Sequence, residues 1–150
     1  TRKESSAASD VYKRQVYNVM CAYEETMYRV ELHSIMSQMD EFIRYANKYW
    51  SSHIKEADQE GSEELRRQTL IDSFYLLRIA TLLMHPIVPR GTEKICDFMN
   101  FDFDEFFSWN YDFDSMEELC NAHELEAKRH RVRDLPPRTD FFSFHPSQKK

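Results

Sequence analysis

Three stretches of this 150-residue sequence hold residues whose types and spacing could do chemistry. The first is "YANKYWSSHIKE", residues 45–56, which sets Asn47, Lys48, Trp50, His53 and Lys55 close together. Single-stranded RNA is held by rings that stack on bases, by amides and imidazoles that meet base edges, and by cations that meet phosphates. This stretch contains all of them. The competing account is structural, with Tyr49 and Trp50 in a core and Lys48 merely solvated. On pattern alone the structural account is the stronger. The basic run "KRHRVR", 128–133, is likewise read first as a solvated helix end.

The second stretch is Cys120-x-x-His123, with His130 beyond it. A closed zinc site needs four ligands, and this set is one short, so no metal site is assigned. The third is "FDFDEFFSWNYDFDSMEE", residues 101–118, rich in carboxylates and rings and free of basic groups. Nothing in the spacing sets two carboxylates opposite one another as acid and base. Without a glycine at the bend the segment also fails as a calcium loop. The expected arrangement is rings in and carboxylates out. The chain has no glycine-rich phosphate loop, no G-x-S-x-G and no H-E-x-x-H, so no catalytic residue and no cofactor is assigned.

The elements that must position these residues are helices. Two glycines and five prolines leave little turn chemistry for a many-stranded sheet, and long periodic runs favour an all-α bundle. A net charge of −6 opposes binding to DNA or RNA through bulk charge, while leaving room for a local patch. Cys21, Cys96 and Cys120 are odd in number and widely spaced, which points to a reduced, cytoplasmic chain. The most apolar run, Leu70 to Met84, is too short for a bilayer and contains Asp72 and Arg78, so no membrane is expected. "TRKESSAASD" has no apolar signal core.

Residues 1–15 are small and polar, and read as a flexible tail or a scar of sequence assembly. A helical domain is expected over 16–133. Its first helix runs from Val16 to about Trp50, because Tyr28, Leu32, Ile35, Met39, Phe42, Ala46 and Tyr49 draw one apolar stripe. Met36, Ile43 and Trp50 widen that stripe. "SSHIKEADQEG", 51–61, is the connection. Ser62 caps the next helix, with Glu63 and Glu64 in its first turn. This helix is apolar nearly all round, and so reads as the centre of the bundle. Leu70, Phe74, Leu77 and Met84 share one of its faces, and Leu77→Ala should then cost about 2–5 kcal/mol. Pro86 ends it and Pro89 starts another, whose buried face is Ile95, Phe98 and Met99. A short helix within 115–133 is followed by Pro136-Pro137 and an extended tail, 134–150. Phe141, Phe142 and Phe144 in that tail suggest docking.

The order of these elements resembles the helical anticodon-binding domain of class I aminoacyl-tRNA synthetases, above all that of methionyl-tRNA synthetase. The resemblance rests on Ala46, Asn47, Lys48 and Tyr49, then Pro86 and Pro89, then Glu93, Lys94 and Ile95. The tail "HELEAKRHRVRDLPPRTDFF" is similar to the end of the synthetase core. The valine, isoleucine, leucine and cysteine enzymes share the fold, and the "PPRTDFF" tail places the methionine enzyme first. The resemblance implies a non-catalytic module that binds a tRNA anticodon stem-loop, with methionine tRNA as partner. The parent ligase would use ATP in a catalytic domain with HIGH-type and KMSKS-type motifs, which these residues lack, and the tail would dock on that domain. Where the family carries Pro-Trp, with its tryptophan stacked on an anticodon base, this chain has Lys55-Glu56. The family's opening helix has no counterpart ahead of Val16. The alternative is a helical packing or partner-binding domain that no longer reads RNA.

Overall fold

Turn chemistry accounts for three of the four junctions between helices, and one forms without a breaker. The computed structural model describes residues 2–109, with side chains from Tyr12 onward. Among these residues every regular element is a helix: α1 (Arg2–Tyr28), α2 (Leu32–Glu60), α3 (Glu63–Met84), α4 (Pro89–Phe98) and the single turn α5 (Phe103–Phe106). Helices α2 and α3 form the main hairpin, α1 lies against both, α4 packs on α3, and α5 on α4.

The single helix expected over 16–50 is two. Helix α1 ends at Tyr28, and Val30 takes the left-handed conformation at φ 58°. The Val30 amide donates to the Met27 carbonyl at 2.9 Å and the Glu31 amide to that of Thr26 at 3.2 Å, closing a Schellman-type end. A valine there is strained, because its branched Cβ crowds the following carbonyl. Packing explains the bend: α1 buries Val16, Met20 and Tyr23 while α2 buries Ile35, Met39 and Phe42 in one common core. A straight helix could not bring both sets to α3. The stripe therefore fails at its start, where Tyr28 is 91% exposed and Leu32 is also exposed.

Two further expectations are corrected. Residues 2–15 are not a tail but the first half of α1, and Tyr12 is buried against Tyr49 and Tyr75. Residues 51–60 are not a connection but the last turns of α2, which bury Ala57. The true junction is Gly61-Ser62. Gly61 sits at φ 64°, a conformation that glycine adopts without penalty, and the Ser62 hydroxyl accepts from the Leu65 amide at 3.2 Å.

The proline reading holds. Helix α3 stops at Met84 and Pro89 opens α4 at N1. The Tyr23 hydroxyl donates to the Leu83 carbonyl at 2.7 Å, filling an acceptor in that last turn and tying α1 to α3. The burial within α3 and α4 differs from expectation. Leu70 and Leu77 face solvent, while Asp72, Arg78, Leu76 and Ile79 are buried. In α4 the buried residues are Gly91, Thr92 and Cys96, with Ile95, Phe98 and Met99 only half-buried. No described helix is long and apolar enough to cross a membrane.

Candidate nucleic-acid interface

The five residues singled out in 45–56 all lie in the C-terminal half of α2. Successive residues of an α-helix are ~100° apart, so the motif divides between two sides. Tyr49 turns inward and is buried, whereas Asn47, Lys48 and Lys55 are exposed. Trp50 lies beside Asn47 at 38% exposure, part core edge and part surface. Ser51 joins the exposed stripe, its hydroxyl donating to the Asn47 carbonyl at 2.8 Å. His53 lies on the opposite flank from Lys48, ~140° around the helix, and is half-buried. The structure thus brings Asn47, Lys48 and Lys55 to one exposed face and sets Trp50 on the other flank of Asn47, ~160° from Lys48, with the half-buried His53 beyond it. A ligand touching all five would have to wrap the helix, as a single-stranded loop can.

Behind these five residues is a polar network that the sequence reading missed. The Tyr49 hydroxyl donates to one Asp72 carboxylate oxygen at 2.8 Å, and the Gln68 side-chain amide donates to the other at 2.9 Å. Tyr12 of α1 also bonds this carboxylate, so three helices meet at one buried acid. Burial raises the Asp72 carboxyl above the usual carboxylate value, while the bonds from Tyr49, Gln68 and Tyr12 and the nearby His53 pull it back. Burial, with the Asp72 charge adding to it, pushes both the Tyr12 and the Tyr49 phenols up, so they stay protonated donors. The visible signal was an aspartate inside an otherwise apolar helix.

His53 is held from two sides. Its ring stacks on the Tyr49 ring at a centroid distance of 4.0 Å and an angle of 22°. Its Nδ1 lies 2.8 Å from the Tyr49 backbone carbonyl oxygen.

The acidic–aromatic stretch is described as far as Trp109. Asp102 caps α5 by accepting from the Glu105 amide at 3.1 Å, and Asp104 and Glu105 occupy its exposed first turn. Phe106 is buried, Phe107 stacks on His85 at 4.0 Å, and Trp109 packs on Tyr23 and donates to Glu24. Arg78, 4% exposed, anchors the stretch: its Nε donates to the Phe106 carbonyl at 3.2 Å, and its Nη2 to the Glu105 carbonyl at 2.8 Å and the Ser108 hydroxyl at 3.1 Å. Carboxylates do face out over this part, but Phe103 and Trp109 keep exposed rings.

Among the described residues no group of three or more His, Cys, Asp or Glu side chains could hold a metal ion. Cys120, His123 and His130, the basic run at 128–133 and the phenylalanines of the tail lie outside the described residues. A groove of about 180 Å³ lies between α1 and α2 beside Asn18, Gln38 and Glu41, away from residues 45–56. No family model, curated protein or solved structure matches the chain.

Proposed function

We propose that this domain binds RNA through the C-terminal half of α2, as the anticodon-binding module of a methionyl-tRNA synthetase-like ligase, and is not itself catalytic. The observation that carries the reading is the division of Ala46-Asn47-Lys48-Tyr49-Trp50. Tyr49 is fixed inward on Asp72, which leaves the Asn47 amide exposed between the Lys48 cation on one flank and the partly bared Trp50 indole on the other. These are the groups that bond base edges, meet phosphates and stack on bases. The partner is the anticodon stem-loop of methionine tRNA, and the ATP-using chemistry belongs to a catalytic domain with its own motifs. The test is an anisotropy titration of methionine tRNA across a salt series. Binding should weaken with salt, and Lys48→Ala and Lys55→Ala should each flatten the slope by about 0.7. Equal affinity for an unrelated tRNA would remove the specificity, and no binding at low salt would remove the RNA reading.

One observation favours a second reading. Leu32, Met36 and Trp50 of α2 and Leu70 and Leu77 of α3 are exposed apolar side chains on the two helices of the hairpin. Exposed apolar groups of this kind suit protein contact. If contact is their main role, Met36→Ser and Leu77→Ser will abolish self-association in sedimentation and leave RNA affinity unchanged.

A further inference from the structure

We infer that His53 is the specificity-determining residue of this interface, held by Tyr49 and Asp72 as an acceptor for the amino group of adenine or cytosine. This rests on the RNA reading above and concerns which edge is read. A backbone carbonyl can only accept, so the 2.8 Å contact with Tyr49 requires the proton on Nδ1 of His53. In the neutral imidazole Nε2 then carries the lone pair. Nε2 bonds no described residue and is not among the buried atoms left without a partner, on a residue that is half-buried.

The ring cannot easily turn to offer the other nitrogen. It is stacked on Tyr49 at 4.0 Å, and Tyr49 is itself bonded through its hydroxyl to Asp72 at 2.8 Å. Asp72 is fixed in turn by Gln68 at 2.9 Å and by Tyr12. The imidazole therefore presents one acceptor in one direction, on the flank where Trp50 offers a stacking surface. An exocyclic amine complements that acceptor. A keto oxygen at the same place on a base would be repelled.

The experiment uses two RNA hairpins with loops of adenosine or of purine riboside, which differ only in the exocyclic amine. Wild type should prefer the adenosine loop by about tenfold. His53→Phe keeps a stacking ring and should lose the preference, while His53→Gln, with an amide oxygen, should keep part of it. Tyr49→Phe, which frees the ring from Asp72, should reduce it about threefold. In the free protein, ¹⁵N spectra should report the Nδ1–H form of His53. An Nε2–H form, or a preference that survives His53→Phe, would overturn the assignment and leave RNA binding intact. Failure of both hairpins and methionine tRNA to bind would remove the RNA reading and this one with it.

Discussion

Along α3 the charges are inside and two of the leucines are outside. Asp72 is 2% exposed and Arg78 4%, against 39% for Leu70 and 40% for Leu77. A hydrophobicity ranking inverts this order, and the difference shows what holds the helix in place. The leucines need nothing from their neighbours. Each charge is tolerated only because another element supplies hydrogen bonds to it. Asp72 is solvated by side chains of α1, α2 and α3, which makes it a junction of the bundle. Arg78 is solvated by the end of α5, which makes it a clasp for the segment beyond α4.

The two sites differ in completeness, and that sets the order of expected effects. Arg78 places its cation on carbonyls at a helix C-terminus, where the dipole favours it, yet its Nη1 has no partner among the described residues. Arg78→Ala should cost about 3–5 kcal/mol in urea unfolding, because it releases the clasp and opens a cavity beneath Phe106. Arg78→Met keeps the stem without the charge and should cost less than about 1.5 kcal/mol. Equal losses in the two variants would mean that the cation, not the packing, holds the segment.

Asp72→Ala should follow at about 2–3 kcal/mol, since it strands the Tyr49, Tyr12 and Gln68 donors in the core. Asp72→Asn should cost less, its amide oxygen still accepting on one side. The pH dependence separates these effects. The folded carboxyl lies above its unfolded value because burial disfavours the charge, so the folded chain holds that proton more tightly. The stability linked to it is full below the unfolded value and is lost as pH rises through the folded one. Wild type should therefore gain on Asp72→Asn as pH falls from neutral toward acid. A gain in the opposite direction would place the carboxylate in a site that prefers it charged.

The same contrast separates what could be read in the sequence from what could not. Ser62 acts through its own hydroxyl, and Pro86 and Pro89 through their own rings, so the start of α3 and the break between α3 and α4 were legible. The α1–α2 corner was not, because Arg29, Val30 and Glu31 include no breaker, and only burial against α3 drives the turn. Gly61 and Asn100 end α2 and α4 with the same left-handed geometry, at φ 64° and 56°, using residues that suit it. At the candidate site the residue types were legible and their directions were not. Whether Tyr49 or Trp50 turned inward depended on Asp72, twenty-three positions away. Val30→Gly tests the corner directly. It should raise stability by about 0.5–1 kcal/mol, since the left-handed strain is relieved and a 74% exposed side chain has little packing to lose. A loss would show that Val30 is held by contacts that outweigh its strain.

The smallest expected effect bears most directly on the contrast along α3. Were α3 apolar because it is surrounded, Leu77→Ala would leave a cavity and cost several kcal/mol. In the observed packing α1, α2 and α5 take up the faces carrying Tyr75, Leu76, Arg78 and Ile79, and Leu77 looks outward between them. Truncating a side chain so placed forfeits part of a transfer term and creates no cavity, so the loss should stay below about 1 kcal/mol in thermal or urea unfolding. That outcome would leave the outer apolar face to be explained by a contact made outside the bundle rather than by the stability of the fold. A loss near that of Asp72→Ala would instead mean that this face is covered within the chain.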